Sequence, residues 1–149
     1  MRERSARFVL IVGALTMLAT SAPQDFEINS DTTLTGDANV RVRFSEGAHG
    51  DTMLVIFSWD EFEGAAATVT PDPRIPQAAY TLEPSQSATF DVGSVCEGAC
   101  ELLFTIDAPP GAGTMHVEAI SQRTGDPSFC FPENREFPDD ATIEVAVVR

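Results

Sequence analysis

The chain has 149 residues, with 23 acidic side chains against 9 basic ones and a formal net charge of −14. All nine basic residues are arginine. A surface this acidic repels polyanions, which excludes nucleic acid and anionic lipid as partners and leaves divalent cations and basic proteins as the attracted classes.

The chain opens MRERSARFVLIVGALTMLATSAPQ. Arg2, Arg4 and Arg7 form a basic start, Phe8 to Ala19 is an apolar run, and small residues follow. This layout predicts a secretory signal peptide over residues 1–21, since the run is too short for a comfortable membrane span. A cut after Ser21 leaves small residues, Ala19 and Ser21, at the two positions that matter for cleavage. Losing three arginines and Glu3 takes the net charge from −14 to near −16. The expected location is secreted, periplasmic or elsewhere in the cell envelope. Nothing after residue 22 is apolar enough over a sufficient length to span a membrane, so residues 22–149 are expected to form one exported domain.

Beyond the leader the apolar period is two. FEIN is a weak strand candidate. NVRVRFS alternates, with Val40, Val42 and Phe44 on one face and Arg41 and Arg43 on the other. SEGAHGD is a glycine-rich turn. TMLVIFSW is apolar on both faces and predicts a central strand with cover on each side. TPDPRIPQ carries three prolines and predicts a passage from one sheet to the other. TLEP is weak, SATFDV and ELLFTID alternate, APPGAG is a tight connection, and TMHVEAI alternates again. Residues 121–140 read as a long loop, and ATIEVAVV as a last strand. No stretch carries a convincing helical stripe with caps. Seven or eight short strands separated by turn signals predict an all-β antiparallel sandwich.

Within that pattern, ELLFTIDAPPGAGTMHVEAIS resembles the segment joining two strands of immunoglobulin-like and fibronectin type III-like domains. There an apolar strand enters a Pro-Gly connection and an alternating strand follows. The resemblance implies a single immunoglobulin-like sandwich, with Trp59 on a core strand. The usual corner tyrosine is replaced by Thr114, and the inter-sheet cysteine pair of that family is absent. The implied strand order also places three connections at one pole: SEGAHGD, GSVCEGAC and the long loop. His49, Cys96, Cys100 and Cys130 are then expected together there.

Three cysteines in an exported chain predict a disulfide, because paired thiols persist in oxidising compartments. Cys96 and Cys100 can close a short loop over Gly98, or either can bridge to Cys130; sequence proximity favours Cys96–Cys100. No C-x2-C spacing supports zinc, and exported thiols oxidise first, so no metal site is expected. Calcium is a weaker cofactor reading. Asp25, Glu27, Asp31 and Asp37, then Asp60, Glu61 and Glu63, and finally Asp139 and Asp140 supply oxygens but form no calcium-loop motif. Phe129, Phe131 and Phe137, interleaved with Arg135 and acids, read either as caps on the open end of the core or as aromatic anchors for a partner.

Two histidines and no G-x-S-x-G leave little for nucleophilic catalysis. His116, beside Glu118 on the solvent face of a strand, reads as a surface pair. The sequence therefore predicts no enzyme. It predicts a small exported binding module that meets a protein or glycan through one pole, with His49, Phe129, Phe131, Arg135 and Phe137 as the contact residues. A metal-binding envelope protein and a small secreted hydrolase are the alternatives.

Overall fold

Alternation along the chain becomes alternation across a sheet. In Cys100–Asp107 burial switches at every residue, and Leu102, Phe104 and Ile106 all point inward. A pleated strand turns successive side chains to opposite faces, so this period suits a half-buried strand and not a helix. The structure, a computed structural model, describes residues 25–61, 64–124 and 136–149.

Among the described residues nine strands follow in order: β1 (Asp25–Leu34), β2 (Ala38–Phe44), β3 (Thr52–Glu61), β4 (Ala67–Thr70), β5 (Tyr80–Leu82), β6 (Ser87–Asp91), β7 (Cys100–Asp107), β8 (Gly113–Thr124) and β9 (Ile143–Val148). They form a four-stranded sheet ordered β1-β8-β3-β6 and a five-stranded sheet ordered β5-β4-β7-β2-β9. Every pairing is antiparallel. The all-β antiparallel sandwich expected from the sequence is what forms.

The strand order adds what periodicity does not contain. Among the first eight strands four pairs are nested: β4 with β5, β3 with β6, β2 with β7, and β1 with β8. One long hairpin rolled over on itself gives this pattern, with alternate pairs falling in alternate sheets. It is the double Greek-key order of a jelly roll. The two end strands occupy exchanged seats relative to the immunoglobulin-like order. β1 lies beside β8, where that order places its last strand, and β9 lies beside β2. The β1–β2 link makes this seat reachable. Thr35-Gly36-Asp37 arches from one sheet to the other, with Gly36 at φ 72° in the region that favours glycine. Asp37 accepts the Ala108 N–H, and Arg149 donates to the Asp37 and Thr35 carbonyls, pinning that pole.

The core lies between the sheets. Phe57 and Phe90 from one sheet meet Phe104 from the other, with ring centroids 5.0–5.8 Å apart and tilted or edge-on planes. Such pairs add about 0.5–1.5 kcal/mol each beyond the burial of their area. Trp59 is buried beside them and donates its indole N–H to the Ala65 carbonyl at 2.8 Å. β3 is central, as its apolar run predicts. Its second face is not covered by another layer among the described residues: Leu54, Ile56 and Ser58 are half-buried by in-sheet neighbours alone.

Three segments depart from expectation. β4 answers to no strand read from the sequence. β8 continues to Thr124, so residues 121–124 are strand and not loop; Ser121 is small enough to occupy an inward, fully buried position opposite Ile28 and Met53. Residues 71–77 do not pass between sheets. They leave β4 and return to β5 in the same sheet, running as a strap along the side of the sandwich. Prolines 71 and 73 cannot donate to a neighbouring strand. Side chains take over that role. Asp72 accepts the Leu103 N–H at 3.0 Å, Arg74 donates to the Glu101 carbonyl, and Arg74 and Asp72 pair at 3.0 Å. Gln77 does the same for the β6 edge, accepting from Asp91 N and donating to Thr89 O. Ile75 plugs the core between these anchors, 3% exposed.

The Arg74 guanidinium, with burial opposing and the backbone N–H groups of Leu103 and Arg74 assisting, holds the Asp72 carboxyl down at about 2. An acid depressed in the folded state stabilises above its unfolded value, near 4, and loses that contribution as pH falls toward 2. Arg74 is half-exposed, so solvent screens part of the effect and on the order of 1–2 kcal/mol remains. Urea melts of wild type and Asp72→Asn should differ by about that amount at pH 6 and converge near pH 2. A gap that persists unchanged at pH 2 contradicts this role for Asp72.

Candidate functional site

At the pole opposite the β1–β2 arch, three connections come together. The β2–β3 loop is anchored by Ala48, which is fully buried. The next two residues lie flat on β8. A Cβ on Gly50 would overlap the Gln122 carbonyl, so only glycine permits this approach. His49 is thereby aimed sideways, and its Nε2 meets the Gly98 carbonyl of the β6–β7 loop. A carbonyl only accepts, so Nε2 carries the proton.

The β6–β7 loop is held from inside. Val95 and Cys96 N–H both reach the Val92 carbonyl, and Asp91 accepts from Gly93 N. Cys96 and Cys100 form a disulfide with Cα atoms 5.3 Å apart, and both are buried. Gly98, between them, sits at φ 63°, where the ring reverses. The pairing favoured by proximity is the one in place, and closing so short a loop contributes about 2 kcal/mol in the chain-entropy view.

Arg123, at the end of β8, is the hub. Its Nε and Nη2 both donate to the His49 carbonyl, at 3.1 and 2.9 Å, and Nη1 donates to the Glu136 carbonyl at 3.1 Å. The planar face of the same guanidinium lies 4.6 Å from the centroid of the Phe137 ring. One side chain thus ties the β2–β3 loop to the segment entering β9 through hydrogen bonds and a cation–π contact. Phe137 is half-buried in this stack. Ser45 and Thr142 complete the join, with Ser45 N donating to Thr142 O and Thr142 N donating to Ser45 Oγ.

Of the residues expected here, the structure brings together His49, the Cys96–Cys100 loop and Phe137. Phe129, Cys130, Phe131 and Arg135 lie outside the described residues. Arg123 had no sequence signal beyond its position two residues after an inward serine; its role depends on the strand extending to Thr124.

Beside the disulfide, a shallow groove of about 440 Å³ opens between Phe44, Cys100 and Thr142. Its wall carries Arg43 between two carboxylates, Glu101 at 2.5 Å and Glu144 at 3.5 Å. The Arg43 hydrogen bond and charge hold the Glu101 carboxyl below the usual carboxylate range, and Glu101 raises Arg43 in turn. The groove wall therefore carries one cation shared between two carboxylates and is negative on balance.

His116 lies elsewhere, on the outer face of the four-stranded sheet. Nδ1 faces Thr33 Oγ1 at 3.3 Å and Nε2 faces Asp31 at 3.6 Å. The nearest serine across the ladder, Ser58, bonds instead to Ser87 at 3.1 Å. Ser58, His116 and Asp31 thus share a face without the serine–imidazole contact that nucleophilic activation needs. Of the acids named as calcium ligands, Glu63 lies outside the described residues, and the acids of β1 and of the β1–β2 arch are spread out. Asp25, Glu27 and Asp31 follow one another down the outer face of β1, while Asp37 is used at the far pole. Among the described residues no group of three or more His, Cys, Asp or Glu side chains converges as a metal site would require.

No family model, curated protein or solved structure matches the chain.

The hub carries a direct consequence. Replacing Arg123 with methionine keeps the aliphatic stem but removes charged hydrogen bonds worth about 1.5–3 kcal/mol each at most. Hydrogen exchange in Arg123→Met should quicken at residues 46–50 and 136–140 while the β3 and β7 amides stay protected. Uniform quickening across all strands, or none at the two loops, contradicts the clamp.

Proposed function

We propose that the protein is an exported, non-catalytic binding module of the cell envelope or extracellular space, and that it meets a protein or glycan partner through the pole built around Arg123. The observation that carries this reading is the joining of three separate connections into one surface: Gly47 and His49 to Glu136 through Arg123, and His49 to Gly98. Loops ordered in advance lose little freedom on binding, which is how rigid sandwiches present contact residues. The use of clustered loops at one end is also what the immunoglobulin-like resemblance implies. The groove flanked by Arg43, Glu101 and Glu144 adds polar contacts at the rim of the same pole. The aromatic ring of Phe137, with the expected Phe129, Phe131 and Arg135 in the preceding stretch, supplies anchor residues of the types enriched in interfaces.

Export is supported by the basic and apolar layout of residues 1–21 and by the Cys96–Cys100 bond, which suits an oxidising compartment. The paired charges of the groove and the separated Ser58 and His116 favour binding over catalysis.

The test uses the native host. A photo-crosslinking amino acid is placed at Glu46 or Glu97 at this pole, and at Pro109 or Pro110 at the other; all four are exposed. Discrete adducts are expected from the first pair and not from the second, and intact mass should show a chain beginning at Ala22 with one disulfide. Adducts confined to the far pole overturn the binding assignment; a full-length reduced chain in the cytoplasm overturns export.

A further inference from the structure

The outer faces of the two sheets treat charge in opposite ways. On the five-stranded sheet the cross-strand row Glu101–Arg43–Glu144 alternates in sign, and Arg43 bonds or pairs with both neighbours. On the four-stranded sheet the outward positions include Asp25, Glu27 and Asp31 of β1, Glu118 of β8, Asp60 of β3 and Asp91 of β6. Among the described residues no arginine points out of this face: Arg41 and Arg43 lie on the other sheet, Arg74 in the strap, Arg123 in the pole and Arg149 at the far end.

Two rows matter. Asn29, Ile120, Leu54 and Asp91 stand side by side across β1, β8, β3 and β6, and the next row is Asp31, Glu118, Ile56 and Thr89. Leu54, Ile56 and Ile120 are therefore contiguous on the solvent side of the sheet, each partly buried, with acids at both margins. Asp31 and Glu118 are direct cross-strand partners. Like charges opposed in this way destabilise a ladder, and among the described residues only the His116 ring approaches Asp31, at 3.6 Å. The face thus retains an unfavourable pair, next to an aliphatic strip that no other layer covers among the described residues.

We propose that this face is a docking surface for a cationic, partly apolar protein segment, one that alternates arginine or lysine with aliphatic side chains. An extended or flat partner of that kind places its aliphatics on Leu54, Ile56 and Ile120 and its cations between Asp31 and Glu118 and beside Asp91. Charge complementarity selects this occupant. A second copy of the chain, with a net charge of −14 and the same acids on this face, would oppose like charges. The assignment is independent of the pole and stands or falls separately from it.

The mature protein is titrated at physiological ionic strength with a blocked Arg-Leu alternating heptapeptide, followed by amide and methyl NMR shifts. An Arg-Ser heptapeptide of equal charge is the control. Binding of the Arg-Leu peptide about tenfold tighter than Arg-Ser is expected, since one apolar group accounts for roughly that much discrimination. Shifts should centre on residues 54–56 and 118–120. Leu54→Thr with Ile120→Thr should weaken binding about tenfold. Glu118→Gln should weaken it severalfold while raising the melting temperature by about 1–3 °C, because the opposed pair is relieved. That opposite movement of affinity and stability is not produced by a purely structural residue, and it remains readable if the double threonine variant does not fold. Asp107→Asn, on the outer face of the other sheet, should leave binding unchanged. Equal affinity for Arg-Ser, an equal loss from Asp107→Asn, or the same shifts produced by calcium chloride alone would each overturn the proposal.

Discussion

The structure depends on two sheets closing over one layer of side chains. Neither sheet could stand alone, because each has a single strongly apolar face that must be removed from water. Phe57 and Phe90 on one side and Phe104 on the other form the contact that locks them. Around it the inward residues of β2, β3, β7 and β8 are almost wholly buried. Loop positions follow from this closure. The nested ribbon delivers the β2–β3 and β6–β7 loops and the end of β8 to the same pole, where Arg123 and His49 join them.

A rolled ribbon still has edges, and unpaired edges invite association. On the β6 and β7 side the answer lies in side chains. A strap rich in proline cannot form a strand, so Asp72, Arg74 and Gln77 make the backbone contacts that a strand would have made. The same economy appears at the pole, where one guanidinium satisfies carbonyls from two segments and stacks on Phe137. Loop anchoring and edge protection thus both fall to a few polar side chains placed by the sandwich, while the sheet faces differ in how far their charges are matched.

Much of the architecture was legible in the sequence because the strand period is strict. The inward residues of β2, β6, β7 and β9 follow the alternation read from NVRVRFS, SATFDV, ELLFTID and ATIEVAVV. The Cys96–Cys100 pair was also legible, since four residues around a glycine suffice to bring two sulfurs together. Strand order was not. Alternation says which face a residue occupies and nothing about which strand lies beside it, so β1 and β9 took seats that no periodicity assigned. β4 was missed because Ala67–Thr70 is only four residues long, and residues 121–124 because a buried serine looks like a loop residue. Arg123 was invisible for a related reason: its partners are backbone carbonyls, which have no signature in sequence. The unmatched outer face of the four-stranded sheet was hidden likewise, because the opposition of Asp31 and Glu118 exists only once β1 is registered on β8.

The central claim is that the core and its polar clamps hold the pole as one rigid surface. Backbone 15N relaxation of the oxidised mature protein tests this most directly. The account predicts order parameters near 0.85 for residues 46–50 and 93–99, equal to those of β3 and β7. Values below about 0.6 in these loops, with the strands still rigid, would contradict it.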